Sequence, residues 1–146
     1  MGTTYGTDVV AWATEQAALL RSGQLSAIDV EHLAEEMDAM SAKEKRELRY
    51  RLAILLQHLL KWQFQPTRRS DSWTTTMFEQ RLNIQDILED SPSLAGILEE
   101  RFANAYALAI HQAAKETGIS LHLFPKNCPY TLVETMDDDW LPADLH

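Results

Sequence analysis

Apolar side chains recur every third or fourth position through most of this chain, the spacing that lays a stripe along one face of an α-helix. Val9, Ala13, Gln16, Ala17 and Leu20 share such a face, predicting a first helix over about Asp8 to Ser22. Thr7 or Asp8 supplies an N-cap, and Gly23 sits where a left-handed residue ends a helix. Gln16 is a polar residue inside that stripe and requires a partner. Ser26 with Asp29 resembles a capping box opening a second helix to about Met40, with Val30, Leu33, Met37 and Met40 as its core positions.

Ser41-Ala42-Lys43-Glu44 is another capping box, which predicts a break before a third helix running to about Phe64. Leu48, Leu52, Leu55, Leu56 and Leu59 form its inward face, and Pro66 stops it. A loop, Gln65 to Asp71, leads to a fourth helix from the Ser72 cap to about Asp90, burying Trp73, Met77, Ile84, Ile87 and Leu88. Ser91-Pro92 reads as N-cap plus first turn of a fifth helix ending at Thr117, before Gly118. Its alanines, Ala103, Ala105, Ala107 and Ala109, permit close approach of a neighbour. From Ile119 the pattern changes. Pro125, Pro129 and Pro142 forbid a long helix, Thr131 with Glu134 caps one short turn, and the remaining apolar residues predict a strap packed across a bundle.

Composition narrows the class without naming a reaction. With 146 residues, 45% apolar and 24% charged, the chain suits one folded domain over 1–146. No apolar run reaches the roughly 20 residues that span a bilayer. Met1 to Asp8 lacks the basic and apolar regions of a secretory leader, and Cys128 has no second cysteine to pair with. These features predict a cytoplasmic protein without membrane contact.

Net charge is −9, unevenly spread: residues 1–42 carry −6, residues 43–81 carry +5 and residues 82–146 carry −8. The basic band either attracts an anionic partner or neutralises the acidic ends within the fold, and the second role is the commoner one.

No local constellation amounts to a catalytic site. Asp29, His32 and Glu36 share the polar face of the second helix, but any acidic amphipathic helix yields that spacing, so no metal is assigned. Arg51 and His58 match the spacing of an arginine–histidine pair in small helical ribonucleases. The apolar run Leu52 to Leu56 after the arginine departs from that pattern. Cys128 lacks an adjacent base and reads as a packed thiol. The stretch 61–73 stands out: Lys61, Trp62, Gln65, Arg68, Arg69, Ser72 and Trp73 gather cations, aromatics and hydroxyls between two helices. Arginine forks suit phosphate or carboxylate, and aromatic faces suit stacking. Alternatively, the tryptophans close the bundle end and the arginines pair with acidic helices.

Several segments carry a family likeness: WATEQAALL (12–20), EHLAEE (31–36), HLLKW (58–62), QPTRRSDSW (65–73), Gln80-Arg81, SPSL (91–94) and FPKNCPYTL (124–132). They resemble a bacterial family catalogued as domain of unknown function 29, over nearly the whole chain. The HLLKW–QP–RRS–SW run is the most specific part. The resemblance implies a compact helical protein of similar size. It brings no activity, cofactor or partner, so no catalytic residue is carried over. Thr74-Thr75-Thr76 is more polar than the family pattern, and His146 ends a short extra tail.

The expectation is therefore an all-α bundle of about five main helices with an irregular C-terminal strap. The third and fifth predicted helices are its central packing elements. The leading function is a non-catalytic binding or adaptor module, its surface formed by the 61–73 loop with Arg81, His58 and the basic start of the third helix. Its partner would be a protein or an anionic ligand, with nucleic acid less favoured and no cofactor. The alternative is a nucleic-acid-acting or phosphate-handling enzyme using His58 with Arg68 or Arg69. A homodimer through Phe78 and Leu82, which lie off the core stripe of the fourth helix, is a further expectation.

Overall fold

The computed structural model describes residues 2–145; Met1 and His146 lie outside them. The chain is all-α, with five α-helices joined by short 3-10 turns and no strand among the described residues. Among the described residues no helix is long and apolar enough to cross a membrane. Two compact units are resolved, Met1–Lys43 and Glu44–His146.

The first unit contains α1 (Val9–Arg21) and the opening of α2 (Val30–Phe64). Asp8 caps α1, its carboxylate accepting from the Ala11 amide at 3.0 Å. Gly23 ends it at φ 73°, and the Gln24 and Gly23 amides return to the Leu19 and Leu20 carbonyls in a Schellman motif. Ser26 does not open α2. Residues Leu25–Ala27 form a 3-10 turn, and Asp29 takes the capping role, its carboxylate accepting from the His32 amide.

α2 then runs 35 residues without the break expected at Ser41–Glu44. A capping box ends a helix only where the preceding backbone leaves helical geometry. No Gly or Pro lies between Val30 and Phe64 to force that, so propagation wins over the local cap. Pro66 stops α2 as expected, opening a 3-10 turn over Pro66–Arg68.

The second unit contains the rest of α2, α3 (Asp71–Asp90), α4 (Leu98–Thr117) and α5 (Leu132–Met136). Ser91-Pro92 starts a 3-10 segment, Pro92–Ile97, instead of α4 itself; Ser93 and Gly96 are poor helix formers. Gly118 ends α4 at φ 75°. Thr131 and Glu134 form the expected reciprocal capping box of α5.

The α2 leucines at 48, 52, 55, 56 and 59 are fully buried, together with Leu60, Met77 and Ile84. On α4 the close-approach face is Ala105, Ala109 and Ala113, all at 0% exposure, whereas Ala103 and Ala107 face solvent. The i, i+4, i+8 spacing of the buried three places them on one line.

Residues from Ile119 onward form the predicted strap, and buried polar groups fix it. The Tyr130 hydroxyl donates to Gln63 Oε1 at 2.7 Å, and Gln63 Nε2 donates to the Ala143 carbonyl at 2.9 Å. Arg81, only 2% exposed, donates to the carbonyls of Thr135 at 2.8 Å and Trp140 at 2.9 Å, with Asp138 at 3.4 Å.

Candidate functional site

The 61–73 stretch spends most of its chemistry inside the second unit. Lys61 Nζ pairs with Glu116 at 2.8 Å and lies 4.7 Å from the centre of the Trp73 ring. Arg69 donates to the Trp62 carbonyl at 2.8 Å, pairs with Asp144 at 2.6 Å and covers the Trp62 ring at 4.8 Å. Trp62 and Trp73 are half-buried against the core, and Gln65 is half-buried at the helix end. Arg81 is a correction to the expected surface. Its guanidinium is buried and bonded to strap carbonyls, so it offers nothing to a partner. Of the predicted binding residues, Arg68 and Ser72 stay exposed.

His58 lies in a cleft of about 310 Å3 between α2 and α4, lined by Tyr50, Ala53, Ile54, Gln57, Leu108, Gln112 and Glu116 as well. Its Nδ1 faces the Ile54 carbonyl at 2.8 Å, which can only accept, so Nδ1 carries a proton and Nε2 is the free acceptor. Burial lowers the His58 pKa and favours the neutral ring. The Lys61 ammonium holds the Glu116 carboxyl below its ordinary range. Neither Arg68 nor Arg69 lines this cleft, so the histidine–arginine arrangement expected for phosphate chemistry does not form there. Arg51, the other expected companion of His58, pairs with Glu47 at 2.9 Å and reaches Gln80. Cys128 is a packed thiol. Its pKa is raised by burial, and it donates to the Tyr130 carbonyl at 3.3 Å.

The first unit holds what the sequence pattern misjudged. Asp29 is its hub. One carboxylate oxygen takes the Trp12 indole N–H at 3.0 Å and His32 Nδ1 at 2.7 Å, and the Asp29 amide donates to Gln16 Oε1 at 2.7 Å. Gln16 thus finds the partner its position demands. Tyr5 stacks on His32 at 4.4 Å, meets the Trp12 ring edge-on at 4.8 Å, and donates its hydroxyl to Glu36. The hydrogen bond to Asp29 raises the His32 pKa and lowers that of Asp29. Asp29 and His32 are therefore engaged with each other and with aromatics, and Glu36 is engaged with Tyr5. Among the described residues no group of three His, Cys, Asp or Glu gathers as a metal site.

This network pins α1 to α2 by Trp12 and Gln16, the only buried residues of α1. The expected core stripes are left open. Val9 is 50% exposed, Leu20 43%, Val30 66%, Met37 63% and Met40 64%. With Ala13, Ala17 and the half-buried Leu33, most of them line a groove of about 420 Å3 whose other lining residues are Trp12, Gln16 and Glu36. Periodicity marks which side chains need cover, not whether the chain provides it. Two helices joined at a single buried edge leave the rest of both stripes unpaired. Phe78 and Leu82, on α3, are also exposed, at 57% and 45%.

A family model described as "Domain of unknown function DUF29" matches residues 4–141. No curated protein and no solved structure matches the chain.

Proposed function

Because the chain belongs to the DUF29 family, whose description assigns no activity, we propose a function from its own surfaces: a non-catalytic binding module acting through the first-unit groove. The observation that carries this reading is the pair of open apolar stripes on α1 and α2. Contiguous exposed apolar surface of this kind marks an interaction site more often than an accident of packing. Its shape, a trough between two helices, suits the apolar side of a third helix. Met37 and Met40 lend it adaptability, since methionine fits irregular partners at little cost.

The 61–73 loop contributes less to this reading than its composition suggests, because Lys61, Arg69 and Arg81 are already engaged. The enzymatic alternative at His58 is weaker for the same reason: no free cation lines the cleft to hold phosphate. The module is read as a cytoplasmic bacterial protein, in keeping with its single free cysteine.

Site-specific photo-crosslinking in intact cells tests the reading. A benzophenone side chain at Met40 or Leu20 is expected to trap a protein adduct that the same group at the exposed Ala103 of α4 does not. Equal adducts at all three positions, or none at the groove positions, would overturn it.

A further inference from the structure

We infer that the occupant of the first-unit groove is a basic amphipathic helix of another protein, an inference that rests on the binding reading above and specifies its partner. The argument is electrostatic. Residues 1–43 hold seven carboxylates against two cations, Arg21 and Lys43, both exposed. Among the described residues, the one ion pair within the unit is that of Asp29 with His32. Asp8, Glu15, Asp29 and Glu36 are held in caps or hydrogen bonds. Glu31, Glu35 and Asp38 lie exposed on α2 without a side-chain partner among the described residues. Within the first unit the apolar trough is therefore set among carboxylates that outnumber the unit's own cations, with Glu36 in its lining.

That field selects among occupants. A second copy of this hairpin would bring like charge against like charge, which costs association several kcal/mol. Nucleic acid and anionic lipid surfaces are repelled for the same reason. A helix with an apolar stripe and flanking Lys or Arg satisfies both halves of the site. The trough extends from Val9 to Leu20 along α1, about 16 Å at 1.5 Å per residue, or three turns of a docked helix. Anchors at i, i+3 or i+4, i+7 and i+11 would then reach its full length, since i to i+11 spans about 16 Å.

The test is fluorescence anisotropy of the full chain against three labelled helical probe peptides. The first carries leucine at the anchor positions and lysine elsewhere; the second replaces lysine with glutamate; the third keeps lysine and replaces leucine with serine. Only the first should bind, more weakly as salt rises. The double variant Leu20→Glu/Met37→Glu adds negative charge, so it would tighten a purely ionic contact. It should instead weaken binding by about tenfold or more, a difference of about 1.4 kcal/mol. Both positions are exposed, and a circular dichroism spectrum checks that the fold is kept. Ala13→Trp, which fills the trough at constant charge, should weaken binding in the same direction. Equal binding of the glutamate peptide would overturn the basic-helix inference and leave the groove reading standing. Leucine–lysine binding that survives both variants would overturn the groove reading itself. A dimer seen by light scattering and broken by the double variant would assign the groove to a second copy.

Discussion

Replacing Arg81 by leucine should release the C-terminal strap. The guanidinium makes two short charge-assisted bonds, to Thr135 at 2.8 Å and Trp140 at 2.9 Å, and a longer one to Asp138 at 3.4 Å. Burial lowers the arginine pKa, a cost offset by the nearby carboxylates of Asp138, Asp137 and Asp139. Each short bond to a charged donor contributes about 1.5–3 kcal/mol, so two set a ceiling of about 6 kcal/mol. Leucine retains part of the packing, no longer pays the desolvation of a charge, and lets water reach the partly exposed Trp140 carbonyl. The expected loss is about 3 kcal/mol.

For a unit of this size about 4–5 °C accompanies each kcal/mol, giving a Tm lower by about 12–15 °C. Urea unfolding followed by circular dichroism gives the free energy, and hydrogen exchange of the α5 amides shows whether the strap leads the loss. Arg81→Lys should recover only part of it, because an ammonium cannot span three carbonyls. A loss below about 1 kcal/mol for Arg81→Leu would refute the reasoning, since it would mean the strap holds without its clamp.

Three further outcomes follow from the same structure. Leu56→Ala on α2, at 0% exposure, should cost about 2–5 kcal/mol in chemical denaturation. Gly118→Ala should cost about 1 kcal/mol, because φ is 75° while no atom lies within 4 Å of an added Cβ; the loss is backbone strain and not collision. The two histidines should titrate on opposite sides of the ordinary 6.5 in an NMR pH series. His32 is raised by Asp29, so its stabilising contribution is complete below 6.5 and is lost as pH rises through its folded value. His58 is lowered by burial, so its contribution is complete above 6.5 and is lost as pH falls toward its folded value. His32 titrating below His58 would contradict at least one of the two assignments.

Local signals read the helices well because they are local physics. The Asp8 cap, the left-handed Gly23 and Gly118, the Pro66 stop and the Thr131–Glu134 box all act within a few residues. The leucine stripe of α2 from Leu48 to Leu59 was legible because its neighbours do cover it. The Ser41 break failed because a cap motif competes with propagation and loses where nothing else bends the chain. The α1 stripe and Val30–Met40 failed for a different reason: solvent exposure depends on elements far away in sequence, or in another molecule. The loop at 61–73 shows the converse. Sequence alone leaves its cations open between a binding surface and internal pairing, because their partners, Glu116 and Asp144, lie far along the chain.

The central claim is that the first-unit groove receives a partner helix. Its most direct measurement is a titration of methyl-labelled methionine protein with the leucine–lysine peptide. Met37 and Met40, at 63% and 64% exposure, are expected to shift and saturate together, while Met77 of the second-unit core, at 1%, stays in place. Saturable peptide binding that leaves Met37 and Met40 unmoved would contradict the account.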